Sequence, residues 1–356
     1  MERHMQFDSK IQDYLRERFG PETTLEGMER LGKGVHGTAF RLRFTTPRGR
    51  RQLILKTLFP SGFGHDHYSD RAQVLLLANA TYNQMQKHIR ALDVVGETGD
   101  LLMSVKDARE FYLLMEEAQG ESYFSDLDAI RKRGHLTDLD RERVRMLARF
   151  LAEIHSAAYT GENGKTLYRR RIRNLVGHGE CVMGIIDAYD SVDFTTDQEL
   201  VDYAGKCLAW WGKIKEKSER LCRVHGDFHP GNIRFQDKNF MVLDRSRGEW
   251  GEPADDVSCL AINYIYYAIK DKGAFEGSFA ELFRLFMDCY FEETHDNGFF
   301  RVAQPFFAFR VLVIANPKFY PEDTSATRRK LLDFGQSVLE TREFDANEIA
   351  VYLERR

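Results

Sequence analysis

Residues 223–248 read RVHGDFHPGNIRFQDKNFMVLDRSRG, and no other segment restricts the fold as strongly. They set His225, Asp227 and Asn232 in the spacing H-x-D-x-x-x-x-N. Two short apolar runs follow, Ile233–Phe235 and Phe240–Leu243, around the polar turn Gln236–Asn239, and the second run ends on Asp244. Two short strands joined by a tight turn bring their ends together. The pattern therefore predicts a hairpin that returns Asp244 to Asn232. Phosphoryl transfer needs such a set. One carboxylate takes the proton of the attacking hydroxyl, and an amide oxygen and a second carboxylate hold Mg²⁺ against nucleotide phosphates. Asp227 is the expected catalytic base, and Asn232 and Asp244 the expected metal ligands. His225 is expected to steady the loop by hydrogen bonding and Pro230–Gly231 to set its turn. His229 is given no chemical role.

Upstream, LGKGVHGTAFRLRF (residues 31–44) sets Gly32, Gly34 and Gly37 as G-x-G-x-x-G. A dinucleotide fingerprint must open a helix. Thr38–Phe44 instead reads as a strand, with Phe40, Leu42 and Phe44 on one face. Strand, glycine loop, strand is an arrangement that covers phosphates, because glycines let backbone N–H groups approach the oxygens without Cβ clashes. Lys56 follows inside the apolar strand QLILKTL, where it is expected to neutralise α- and β-phosphate oxygens. By position, Glu116 to Ala118 meet adenine through backbone groups.

The rest of the pattern frames these segments. Residues 8–19 read as a leading helix, Thr24–Leu58 as antiparallel strands, and Ser69–Leu92 as a long helix with Ser69 as its cap. A strand pair is expected at Leu101–Lys106 and Phe111–Met115. Beyond it the chain reads as mainly helical, apart from residues 222–244. Within the helix RERVRMLARFLAEIHS, Val144, Leu147, Leu151 and Ile154 form one apolar stripe, and His155 beside it reads as a hydrogen-bonded core residue. The expected organisation is an N-terminal lobe over residues 1–116 and a helical lobe over residues 117–356.

Composition removes several alternatives. With 51 Lys and Arg against 55 Asp and Glu, the chain has no global charge reason to bind nucleic acid. No apolar run approaches the ~20 residues that span a membrane; the longest, Val311–Ala315, reads as core. Five cysteines without a CxxC suggest neither a disulfide framework nor a zinc knuckle. A cytoplasmic protein is expected.

Glycine loop, strand lysine, HxD loop with its Asn, and distal Asp occur in kinase order. The chain resembles the aminoglycoside phosphotransferase and choline kinase group of protein-kinase-like enzymes. That group carries H-G-D-x-H-x-x-N, a distal Asp, and a following segment like GDPxxDLA, here GEPADDV, in which Asp256 matches the terminal Asp and Glu252 replaces the usual one. The helix ending in LAEIHS also looks like the family's. The resemblance covers roughly residues 25–270. It implies an α+β, bilobal protein-kinase-like fold, with a small N-terminal antiparallel sheet, one long helix and a larger helical lobe. It also implies ATP and Mg²⁺ as cofactors and a small-molecule hydroxyl as phosphoryl acceptor. Aminoglycoside-like antibiotics are one acceptor class; choline-, sugar- and homoserine-like metabolites are others. A different class is a nucleotide-binding pseudokinase acting as an interaction module.

Three features depart from the family's pattern. No Glu lies between Thr57 and Gly96 to pair with Lys56. Asp244 is followed by Arg245, Ser246 and Arg247, where a large apolar residue is usual. The segment 57–70 is long and Gly-rich, and its His65 and His67 read as an exposed loop. Arg245 and Arg247 either stabilise transferring charge, recognise an anionic acceptor, or pair with Glu249, Glu252 or Asp255. A basic run at residues 165–173 and an acidic run at residues 187–202 read as solvated faces, or the acidic run borders the acceptor site and favours a polycation.

Overall fold

The computed structural model describes residues 2–33, 37–60, 65, 67–82, 90–105, 118–245 and 247–354. The chain divides into two compact units, Met1–Met115 and Glu116–Arg356.

The first unit opens with α1 (Glu2–Phe19) and an antiparallel sheet of β1 (Thr24–Lys33), β2 (Gly37–Thr46) and β3 (Gly49–Leu58) in that order. The period of two in β2 decides what packs. Leu42 and Phe44 are buried with Ile11 and Leu15 of α1, so the apolar stripes of helix and strand close on each other. Lys56 stands opposite Ala39 in the register, on the other face of the sheet, beside Ile54, which is 56% exposed. Gly37 approaches the backbone of β3 so closely that a Cβ would lie 2.1 Å from the Thr57 carbonyl oxygen. Its small size is therefore a packing requirement. Then come α2 (Tyr68–Tyr82), β4 (Val95–Glu97) and β5 (Leu102–Ser104). The helix is described as far as Tyr82, and residues 83–89 lie outside the described ones; residues 90–92 are not helical, so the expected end at Leu92 is not reached. The Asp70 carboxylate, rather than Ser69, caps its start by accepting the His67 N–H at 2.9 Å. The strand at Leu102 pairs with Val95–Glu97; the expected partner, Phe111–Met115, lies outside the described residues, as do Gly34 and Glu116.

The second unit begins with β6 (Glu121–Ser122), α3 (Tyr123–Arg133), α4 (Asp138–His155), α5 (Gly164–Gly177), α6 (Val182–Ile186) and α7 (Asp197–Ile214). Next come β7 (Cys222–Arg223), β8 (Ile233–Gln236), β9 (Asn239–Val242) and β10 (Trp250–Gly251). The chain closes with α8 (Pro253–Lys272), α9 (Gly277–Thr294), α10 (Gln304–Ala315), α11 (Ser325–Glu340) and α12 (Ile349–Glu354). A capping box between Thr137 and Asp140 starts α4, and Val144, Leu147 and Leu151 are buried along its stripe. The central helices α8 and α10 are apolar nearly all round and buried along most of their length, Val311–Ala315 included. Such a helix has no solvated side, so any polar residue on it must find a partner inside the protein.

Candidate functional site

The predicted hairpin forms. β8 and β9 pair antiparallel with Ile233 opposite Val242, and the Leu243 N–H donates to the Asn232 carbonyl at 2.8 Å. This bond ties the residue before Asp244 to Asn232. Asp244 itself has φ +57, a left-handed conformation that is uncommon without glycine. The strain turns the chain out of the strand at that residue. Asp244 is exposed and lines the same cavity as Asp227.

The loop between His225 and Asn232 is fixed at every turn. The His225 and Gly226 N–H groups both donate to the buried Asp256 carboxylate at 2.6 Å. His155 reaches that carboxylate through Nε2 at 3.2 Å and meets the Tyr290 hydroxyl through Nδ1 at 2.8 Å. Burial opposes the Asp256 charge, but His155, His225 and the backbone N–H bond hold its carboxyl below the usual range. The Asp227 N–H donates to His225 Nδ1 at 3.2 Å, and Gly231 N–H to His229 Nδ1 at 3.0 Å. His229 precedes a short 3₁₀ turn at Pro230–Asn232. Both imidazoles thus serve the loop's shape.

Asp227 is the loop residue with the most charged neighbours. Its carboxylate accepts from Arg310 of α10 and stands 3.8 Å from Arg247 and 3.9 Å from His229. Burial alone would raise its carboxyl. The charges of Arg310, Arg247 and His229, with the Arg310 hydrogen bond, bring it down to about 2. Burial likewise lowers His229, with Asp227 pulling the other way. Arg310 is 5% exposed and also donates to Asp255 at 2.7 Å and the Gly226 carbonyl at 3.2 Å. Asp255 shares its other oxygen with Arg171 at 2.8 Å. Arg171 donates to the Gly226 carbonyl at 3.3 Å and the Arg247 carbonyl at 2.5 Å. Two buried guanidiniums therefore alternate with two carboxylates under the loop, and neither sign is left unpaired.

The motif alone did not reveal Arg310, Arg171 or Asp255. Arg171 belongs to the basic run read as a solvated face. Its outer members do behave that way, since Lys165 and Arg169 pair with Glu216. Arg171, however, shares the buried stripe of α5 with Tyr168, Ile172 and Leu175. That helical spacing was a usable signal. Arg310 lies within FFAFRVLVIA, where an unpaired charge could not be buried. Members of the acidic run find separate partners: Asp193 with Ser325, and Glu199 with Arg329. Arg245 points its guanidinium at the Val224 and Glu249 carbonyls, at 2.8 and 3.2 Å. Arg247 lines the cavity with Phe309 beneath it at 5.2 Å. The two arginines after Asp244 thus have different jobs. Ser246 lies outside the described residues.

Glu252 is not a metal ligand in disguise. It caps α8 through the Ala254 N–H at 3.3 Å, accepts from Tyr168 at 2.7 Å, and is gripped by Arg220 at 2.6 to 2.9 Å. Arg220 also holds Asp296. This bracket fixes the start of the helix that carries Asp255 and Asp256.

The donor set fits a divalent cation. The Asn232 amide nitrogen is committed to the Asp227 carbonyl at 3.0 Å, which leaves its oxygen as the free donor. Among the described residues Asp244 has no cationic partner. A carboxylate and an amide oxygen are the hard ligands Mg²⁺ takes. In the first unit, β1 shifts register between Arg30 and Gly32, and Gly37 starts β2, so two of the three glycines flank residues 34–36, which lie outside the described ones. Ala118 is half-buried and precedes Gly120, whose φ is +98. His67 hydrogen-bonds Ser69, and no group of three or more His, Cys, Asp or Glu side chains is placed to hold a metal among the described residues.

A family model described as "Phosphotransferase enzyme family" matches residues 28–284, more than half the chain. The chain belongs to this family. As a phosphotransferase it has the protein-kinase-like fold, with the small antiparallel sheet first and the helical unit after it. No curated protein matches the sequence. Solved structures that the chain matches include amicoumacin kinase in complex with AMP-PNP, Ca²⁺ and Ami, at 13% identity and TM-score 0.42, covering 98% of this chain and 100% of that one. A choline/ethanolamine kinase family protein from Mesorhizobium loti aligns at 12% identity and TM-score 0.38, over 92% of each chain. Glucosamine kinase in complex with glucosamine, ADP and inorganic phosphate aligns at 13% identity and TM-score 0.35, over 93% and 91%. No helix of the described residues is long and apolar enough to cross a membrane.

Proposed function

We propose that this phosphotransferase moves the γ-phosphoryl group of ATP, with Mg²⁺, to a hydroxyl of a small molecule. The observation that supports it best is the loop itself: Asp227 and Asp244 line one cavity, the Asn232 side-chain amide donates to the Asp227 carbonyl, and the Asn232 carbonyl accepts from Leu243, the residue before Asp244. Asp227 orients the acceptor hydroxyl. A carboxyl held near 2 takes up little proton at rest. Its proton transfer comes late, when the forming bond to phosphorus has made the hydroxyl acidic, as suits a loose transition state. Arg310 keeps the carboxylate aimed. Asn232 and Asp244 would hold Mg²⁺, which supplies charge neutralisation at the phosphate oxygens. In the first unit, the loop of Gly32, Gly34 and Gly37 would lie over the phosphates, Lys56 would meet their oxygens, and Glu116 and Ala118 would meet adenine through the backbone. The five free cysteines, four of them buried, suit a reducing cytoplasm. An aminoglycoside-like antibiotic and a metabolite alcohol both remain acceptor classes for this reading.

A second reading is a nucleotide-binding module without turnover. It draws on Lys56, which has no carboxylate partner among the described residues. ADP formation from ATP over a panel of hydroxylated acceptors, with and without Mg²⁺, separates the two. Acceptor- and Mg²⁺-dependent turnover supports the phosphotransferase; nucleotide binding with no turnover on any acceptor supports the silent module.

A further inference from the structure

The cavity beside Asp227 has a volume of about 620 Å³ and is built entirely from the second unit. Its polar groups gather near the catalytic loop. Asp227 there is matched by Arg310, and Arg310 by Asp255 in turn. Away from the loop, the wall is largely apolar: Ile185 in α6 and Ala188 just after it, Ile262 of α8, Val313 and Ile314 of α10, and Phe319, with Asn263 and Tyr320 as polar members among them. Phe319 is 47% exposed, so its ring offers apolar surface at this wall. Lys318 beside it also lines the cavity, and besides Asp227 and Asp244 the described lining residues include one further acid, Glu180. The acidic run at residues 187–202 contributes none of its acids to this lining. Two of them are engaged elsewhere, Asp193 with Ser325 and Glu199 with Arg329.

A pocket for a polycation needs unmatched carboxylates spread over its wall. A pocket for an apolar body needs what is found here: aliphatic side chains from three elements and one half-exposed aromatic. Resting on the phosphotransferase reading, we propose that the acceptor is an amphiphilic alcohol. Its hydroxyl meets Asp227, and an apolar portion lies on the wall of Ile185, Ala188, Ile262, Val313, Ile314 and Phe319. A polycationic acceptor does not match this wall. The reaction balances simply. The hydroxyl oxygen bonds to the γ-phosphorus, the bond from that phosphorus to the β-bridging oxygen breaks, ADP leaves with the electron pair, and the hydroxyl proton goes to Asp227.

The test is equilibrium binding to the full chain, without nucleotide, of octyl β-glucoside below its micelle concentration, methyl β-glucoside, and the polycation kanamycin. The two glucosides share their hydroxyls and differ only in apolar body. Burying several more methylenes should favour the octyl compound by at least about tenfold. Ala188→Asp and Phe319→Ser should each erase most of that preference, while ATP·Mg²⁺ binding stays unchanged. Equal binding of the two glucosides, no binding of either, or tighter binding of kanamycin would overturn the proposal. Binding without nucleotide probes only the wall. A wall that binds while no acceptor is phosphorylated contradicts the phosphotransferase reading instead.

Discussion

Asp227 is held by opposing influences, and their balance can be measured. Burial raises the carboxyl, Arg310 and Arg247 lower it, and the outcome near 2 lies below the ordinary carboxylate value. A depressed folded value gives stability that is fully present above the unfolded pKa of about 4 and is lost as the pH falls through about 2. The contribution is about 2 kcal/mol. The stability gap between the wild type and Asp227→Asn, followed by urea unfolding, should therefore narrow from pH 5 towards pH 2; a gap independent of pH contradicts the pairing. In turnover, Asp227→Asn should keep the loop's shape and lower kcat by at least ~10²-fold, with ATP·Mg²⁺ affinity little changed. Arg310→Met removes the guanidinium shared by Asp227 and Asp255. Breaking a buried pair in this way costs about 3–5 kcal/mol, so the melting temperature should fall sharply. Arg310→Lys, which keeps the charge but loses the fork, should fall between Arg310→Met and the wild type.

At the scale of elements, the hairpin and the start of α8 clamp the loop from two sides. Gly120, just before β6, is one hidden requirement. With φ +98 and a Cβ that would meet the Phe235 carbonyl oxygen at 2.3 Å, it allows β6 to lie against β8. Gly120→Ala should cost more than ~1 kcal/mol in denaturant unfolding. A neutral result would show that the β6–β8 contact yields easily. The loop and hairpin were legible in the sequence because all their parts are local. Asn232, the two strands and Asp244 lie within thirteen residues, and alternation sets which side chains share a face. The clamp was less legible because it is assembled across distance. Arg171 and Arg310 are 139 positions apart, yet both serve Asp255. Only burial reveals such partners, by forbidding an unpaired charge. Likewise, Glu252 reads as a substituted family acid, whereas its role as helix cap and partner of Arg220 appears only once α8 is in place. The expected helix end at Leu92 is not reached, since residues 90–92 are not helical and a short apolar run there does not by itself fix the secondary structure; the strand expected at Phe111–Met115 lies outside the described residues.

At the scale of the whole molecule, Lys56 belongs to the first compact unit and Asp227, Asn232 and Asp244 to the second, so each set can be tested by itself. Lys56→Ala, a change confined to the first unit, should raise the KM for ATP far more than the KM for the acceptor. If Lys56 is only an exposed strand residue, both constants should stay within a few-fold of wild type, as surface substitutions usually do. The proposed metal site is narrower: Asn232 and Asp244, at the two ends of the hairpin, would hold the Mg²⁺ needed for phosphoryl transfer. A Mg²⁺ titration of ADP formation in the wild type, Asn232→Ala and Asp244→Ala tests it most directly. Losing a hard oxygen ligand should move the midpoint to higher Mg²⁺, by about tenfold or more for Asp244→Ala. An unchanged midpoint in both variants would remove these two residues from the metal site and contradict the account.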